Sequence, residues 1–175
     1  MRRGMIFKAR WGWMGVAESE TGLVAIVLPQ NSKAAVAADL RAHASPPFEK
    51  GSSTRLRRAC TQLREYLAGT RTTFDLPLDL SPGTSFQRRV WEQLRSVPYG
   101  RLLSYQGLAC RVGGRQYARA IGGAVGANPL PIVVPCHRIV AHDASIGGFS
   151  CGLPAKRKLL ELEGTLSQLR RTGRD

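Results

Sequence analysis

The stretch with the most chemistry in this chain is Asn128-Pro129-Leu130-Pro131-Ile132-Val133-Val134-Pro135-Cys136-His137-Arg138-Ile139-Val140. Three prolines stiffen an apolar run that ends on a thiol followed at once by an imidazole. A thiolate is a soft, strong nucleophile, but burial raises the thiol pKa and makes it inert. A neighbouring imidazole can reverse this by taking the proton. On an extended chain, residues i and i+1 point to opposite faces. Cys136 and His137 can therefore cooperate only through a turn between them or a bridging water. The other reading is a buried cysteine beside a structural histidine, and the run alone does not choose.

Four cysteines, Cys60, Cys110, Cys136 and Cys151, show no CxxC spacing, a poor fit to a zinc site or disulfide framework. In a reducing compartment they are free thiols. Cys60 and Cys110 fall on apolar helix faces and read as core. Charge points to the partner: 26 Lys+Arg against 12 Asp+Glu give +14. That balance favours polyanions, most often nucleic acid, while charge alone leaves an anionic membrane or RNA open. Residues 1–83 carry 12 basic and 7 acidic side chains, net +5, and residues 84–175 carry 14 and 5, net +9. The polyanion is expected on the second part.

The 175 residues suit one domain or two small ones, and 43% apolar content excludes a disordered tail protein. No apolar run approaches the roughly 20 residues that span a bilayer. Lys8 and Arg10 interrupt the start, unlike a secretory signal. Residues 5–7 and 24–28 read as short strands separated by Gly12, Gly15 and Gly22. Residues 32–43 read as a helix and 44–53 as a loop. Leu56, Cys60, Leu63 and Leu67 predict a helix over Thr54–Leu67, stopped by Gly69. Residues 72–78 read as another strand and 80–83 as a linker.

The second segment reads as helical. Thr84 or Ser85 caps a helix with Phe86, Val90, Leu94 and Val97 on its apolar face, ended by Pro98-Tyr99-Gly100. Ser104 caps a second helix carrying Leu108 and Val112. Gly113-Gly114 turns the chain, and Arg115 opens a third helix to about Val125. This is a helix-turn-helix pattern, weak by itself. On the third helix Arg119 is the one long side chain among Ala118, Ala120, Gly122, Gly123 and Ala124. A helical glycine costs about 1 kcal/mol relative to alanine. The pair therefore serves either close helix packing or close approach to a groove.

Several ordered blocks add to this. Pro135-Cys136-His137-Arg138 follows Gly122-Gly123 and Asn128-Pro129. After it come Gly147-Gly148-Phe149, Gly152-Leu153, Lys156, Leu159-Leu160 and Glu163-Gly164. Before it come Pro98-Tyr99-Gly100, Ser104-Tyr105 and Ala118-Arg119-Ala120. Over residues 82–164 the chain resembles the O6-alkylguanine-DNA alkyltransferase family; the N-terminal part fits by size and strand–helix content. The resemblance implies an α+β fold. A small mixed α/β, ribonuclease H-like scaffold (residues 1–80) precedes a mainly helical domain with the helix-turn-helix (81–169) and a basic tail (170–175).

The resemblance also implies DNA repair by direct reversal of alkylation. Duplex DNA carrying O6-alkylguanine is bound, the damaged nucleotide is flipped out, and the alkyl group passes to Cys136. O4-alkylthymine is a poorer substrate. Each molecule acts once, as a suicide methyltransferase, with no cofactor or metal. By the resemblance Glu163 orients His137, which relays through water to Cys136, and Tyr105 donates to the leaving base. Asn128 links the DNA-binding element to the reactive segment. Arg119 is the finger that fills the vacated stack, with Arg115, Ser104, Ala118, Ala120, Gly122 and Gly123 along the DNA. Phe149, Ser150 and Val140 line the substrate pocket. The expected protein is a monomer, with cooperativity on DNA left open, off the membrane and in the cytoplasm at the nucleoid.

Some positions depart from the pattern. Cys151 stands where glycine or tryptophan is usual and reads as tolerated variation rather than a second acceptor. Phe149 replaces a common tyrosine, and Gly126 a basic residue. Lys156-Arg157-Lys158, His142 and Asp143 read as surface, and Trp11, Trp13 and Trp91 as packing. Two other functions compete. A lesion-recognition protein without transfer activity is one, although non-transferring relatives replace the reactive cysteine. A cysteine hydrolase built on Cys136 and His137 is the other, and the sequence offers it no oxyanion hole.

Overall fold

The computed structural model describes residues 2–44 and 48–169. The expected basic tail lies outside them. Contacts divide the chain into two units, residues 1–82 with 129–131, and residues 83–128 with 132–175.

The first unit is a four-stranded sheet with two helices. Strands β1 (Arg2–Ala9), β2 (Gly12–Glu18) and β3 (Leu23–Gln30) form an antiparallel meander, and β4 (Phe48–Lys50) pairs parallel to β1 at the edge. Helix α1 (Lys33–Ala44) lays Val36 and Leu40 on Ala17, Val24, Ala25 and Val27. Helix α2 (Thr54–Leu67) has the predicted bounds and packs on β1 and β2. Its Ser53 cap accepts the Leu56 N–H at 3.0 Å.

Three expectations fail here. Residues 48–50, expected within a loop over 44–53, form β4 by pairing with Arg2–Gly4 of β1. Gly12, Gly15 and Gly22 are expected to separate two strands, yet β2 begins at Gly12 and runs through Gly15. A Cβ on Gly15 would come within 2.6 Å of Leu40. That glycine admits α1 against the strand instead of breaking it. Residues 72–78 make only one bridge, Leu78 to Leu23, instead of a strand. Pro77 has no N–H to give a ladder; its carbonyl accepts from Leu23 at 2.9 Å.

The second unit is mainly helical, so the α+β expectation holds. Helices α3 (Ser85–Arg95), α4 (Tyr105–Val112) and α5 (Ala118–Gly126) pack on one another. Thr84 and Gln87 form a reciprocal capping box at the start of α3. Buried Trp91 on α3 donates to Ala124 O on α5 at 2.8 Å. Gly113 and Gly114, with φ of 156° and 134°, make the turn after α4. Arg115–Tyr117 is one tight 3₁₀ turn before α5. Two-residue strands β5 (Leu103–Ser104) and β6 (Ile139–Val140) pair in parallel, which sets the start of α4 beside the segment after Cys136. Helix α6 (Leu153–Leu162) closes the unit. Among the described residues no helix is long and apolar enough to cross a membrane.

Candidate active site

The turn that Cys136 and His137 require is present. Asn128 Nδ2 donates to Val134 O at 2.7 Å and closes the apolar segment on itself. Pro135, at φ −81° and ψ 67°, is the centre of an inverse γ-turn in which Cys136 N–H bonds Val134 O at 2.8 Å. One 3₁₀ turn, Cys136–Arg138, follows. The neighbours therefore do not alternate across an extended strand.

Cys136 is 2% exposed. Burial pushes its thiol up to about 12. A hydrogen bond with Asn128 and the charge of Lys156 pull the other way, while the Cys151 thiol adds to the rise. At rest the group is a protonated thiol.

His137 is fully buried, with Nε2 2.8 Å from Glu163 Oε1. Burial lowers its pKa, and the Glu163 carboxylate opposes that. Glu163 caps the C-terminus of α6, where a negative charge meets the unfavourable end of the helix dipole. Arg138 compensates. Its Nε donates to Oε2 at 2.9 Å, one terminal nitrogen to Oε1 at 2.9 Å, and the other to Val97 O at 2.6 Å. Gly100 N–H adds a bond to Oε2 at 3.3 Å. Burial would raise the Glu163 carboxyl, but the His137 and Arg138 bonds hold it at about 2.

Tyr105 opens α4 directly after its cap, Ser104, whose Oγ accepts from Gly107 N–H at 2.9 Å. The phenol donates to Gly148 O at 3.3 Å. Its pKa is raised by burial and by Cys136, so it keeps its proton. Val140 is buried, Phe149 half-buried and Ser150 exposed. The structure thus gathers Cys136, His137, Glu163, Asn128 and Tyr105 around one turn and one loop. Among the described residues no three His, Cys, Asp or Glu side chains are placed to hold a metal ion.

Sequence reading missed two members. Arg138 stands in the sequence only as the end of the Pro135-Cys136-His137-Arg138 block. Lys156, expected at the surface, is wholly buried and donates to Ile139 O at 2.6 Å and Gly148 O at 3.1 Å. Burial depresses it to about 8, against the pull of Cys136. The signal was there: Lys156, Leu159, Leu160 and Glu163 share one helical face at i, i+3, i+4 and i+7. Cys110, read as core, is exposed.

Helix α5 buries Ile121, Ala124 and Val125 and exposes Ala118, Arg119, Ala120, Gly122 and Gly123. A Cβ on Gly122 or Gly123 would meet nothing within 4 Å. Close helix packing therefore does not explain them. Among the described residues Arg119 has no hydrogen-bonding or ionic partner. Arg115 is exposed one turn earlier.

Residues 7–80 match the family model of the ribonuclease-like domain of 6-O-methylguanine DNA methyltransferase, and residues 85–165 that of its DNA-binding domain. A methylated-DNA–protein-cysteine methyltransferase of Mycobacterium tuberculosis is 48% identical over 105 residues, covering 60% of this chain and 63% of that protein. The match thus spans less than two thirds of that relative. One from Salmonella typhimurium is 40% identical over 119 residues, covering 68% and 70%. A crystal structure of Mycobacterium tuberculosis O6-methylguanine methyltransferase superimposes with a TM-score of 0.75 at 35% identity, covering 98% of this chain and 96% of that one. That of Mycobacterium tuberculosis OGT in complex with DNA gives 0.76 at 34%, covering 94% of each.

Proposed function

The chain belongs to the 6-O-methylguanine DNA methyltransferase family, and from that premise we propose that it repairs alkylated duplex DNA by moving the alkyl group from guanine O6 to Cys136, once per molecule. The observation that carries this reading is the single buried turn that presents Cys136 and His137 together, with Glu163 at the end of α6 bonded to both His137 and Arg138.

Sγ attacks the saturated carbon in line with the C–O6 bond, which breaks as the S–C bond forms. The thiol proton passes through water to His137 Nδ1, the ring nitrogen that Glu163 does not engage. Glu163 stabilises the imidazolium formed, and Arg138 keeps Glu163 ionised and in place. The departing guanine must not leave as a bare anion, and Tyr105 donates to it. Asn128 holds the reactive segment to the end of α5, while Val140, Phe149 and Ser150 border the base. A thioether is not reversed by water, so the protein is consumed.

The DNA side rests on α5. Flipping a base costs a few kcal/mol of stacking and pairing. Arg119 enters the vacated space, and the flat Ala118, Ala120, Gly122 and Gly123 surface admits a groove wall close to the backbone. Arg115 meets phosphate, and Ser104 supports from the α4 cap. Binding through phosphate and shape implies little sequence preference. The protein acts as a monomer on DNA in the cytoplasm, at the nucleoid.

The test uses a duplex with labelled O6-methylguanine. Label should appear on the protein and plateau at about one per molecule, with none in Cys136→Ser. Turnover beyond that sinks the reading in favour of a hydrolase. Tight binding without label favours a lesion-recognition protein.

A further inference from the structure

Residues 139–148 double back on themselves. Ala141 N–H donates to Ser145 O at 3.0 Å, and a Cβ on Gly147 would lie 3.3 Å from the Ala141 nitrogen. Lys156 Nζ then ties the two limbs, bonding Ile139 O at 2.6 Å on one and Gly148 O at 3.1 Å on the other. Tyr105 holds the same Gly148 carbonyl. Three residues outward from Ile139 lies Cys136; three outward from Gly148 lies Cys151. Each limb spends those residues in one turn, Cys136–Arg138 on one side and the Phe149 O to Gly152 N–H turn on the other. Cys151 acts electrostatically on Cys136 and adds to the rise of its thiol. The two differ in access: Cys136 is buried and Cys151 exposed.

We propose that Cys136 and Cys151 are an oxidisable pair that closes into a reversible disulfide when the exposed thiol meets a hydroperoxide. The Cys151 thiolate attacks the distal peroxide oxygen. The O–O bond breaks, an alkoxide or hydroxide leaves and takes a proton from water, and Cys151 becomes a sulfenic acid. Cys136 then gives its proton to His137 and attacks that sulfur. The S–S bond forms, the S–O bond breaks, and the released hydroxide takes the proton. Two thiols and one hydroperoxide give a disulfide, an alcohol or water, and water. A dithiol reverses the change by exchange. Cys151 is the site of entry because it is exposed, and the reactive sulfur is held in a recoverable form instead of being driven to sulfinic acid. The consequence for repair rests on Cys136 being the alkyl acceptor; the disulfide itself does not.

Reduced full-length protein is treated with hydrogen peroxide, and its peptides are mapped without reductant. Peptides bearing Cys136 and Cys151 should be joined, methyl acceptance from the O6-methylguanine duplex should fall in step, and dithiothreitol should restore both. Cys151→Ser should accept methyl normally when untreated and resist peroxide, because its Cys136 is shielded. Linkage of Cys136 to Cys60 or Cys110, oxidation of Cys136 without linkage, or equal peroxide loss in Cys151→Ser would overturn the proposal. A link that forms and reverses in a protein that never accepts methyl supports the pair and defeats the alkyl-transfer reading.

Discussion

Arg138 grips the Glu163 carboxylate from two nitrogens at 2.9 Å, so the residue that follows His137 in sequence also fixes the acid that His137 leans on. In the proposed mechanism three consecutive residues thereby supply nucleophile, base and the clamp on the orienting acid. The grip makes Glu163 affordable inside the protein, since a buried carboxylate without a partner loses several kcal/mol.

Arg138→Met should accordingly destabilise the protein by about 3–5 kcal/mol at neutral pH. The pH dependence has a definite sign. In the parent, Glu163 titrates at about 2 when folded against an ordinary 4.5. Its stabilisation is complete above 4.5 and is lost as pH falls towards 2. In Arg138→Met burial dominates and the carboxyl holds its proton more readily. The stability gap between the two proteins should therefore narrow between pH 6 and pH 3 in urea titrations. A gap that stays constant would mean Arg138 acts through packing alone.

Glu163→Gln keeps the shape of the site but removes the charge that stabilises a protonated His137. Single-turnover transfer should slow by about 100-fold, the scale of general base assistance. Affinity for unmodified duplex should stay put, because the residue is far from solvent. An unchanged transfer rate removes Glu163 from the relay.

Thiol accessibility gives a third check. In the folded protein iodoacetamide should label Cys110 and Cys151 quickly at pH 8. Cys60, raised to about 11, and Cys136, raised to about 12, should lag far behind. Urea should abolish the difference. Fast labelling of Cys136 in the native, DNA-free protein would contradict its burial.

The residues that were legible from sequence are those whose neighbours in space are neighbours in sequence. Leu56, Cys60, Leu63 and Leu67 write the core face of α2 in one helical period, and its bounds followed. Gly15 misled because its reason lies on α1, where Leu40 needs the space. Lys156 was hidden by its company: Arg157 and Lys158 made it look solvated, although its phase matched Leu159 and Leu160. Arg138 to Val97, 41 positions apart, obeys no period at all. The meeting of His137 with Glu163, 26 positions apart, came from family resemblance and not from spacing.

Gly123→Ala separates folding from function on α5. A methyl there meets no atom within 4 Å, and alanine is the better helix former by about 1 kcal/mol. The variant should melt a few degrees higher. If the face lies against a groove wall, the same methyl should weaken duplex binding. A rise in melting temperature with undiminished affinity would take Gly123 off the DNA.

Arg119→Ala tests the step that distinguishes duplex repair from simple thiol chemistry. The side chain is exposed and makes no hydrogen bond or ion pair among the described residues, so its loss removes no bond that holds the nucleophile. Without it the flipped state loses the group that fills the stack, and the cost of unstacking is offset less. Transfer from an O6-methylguanine duplex should fall at least tenfold, while transfer from the free base O6-benzylguanine should hardly change. The deficit should shrink when the lesion faces a mismatched partner, because that base is cheaper to extrude. Equal losses on duplex and free base would mean that Arg119 supports the fold of the reactive unit, and the finger role would have to be given up.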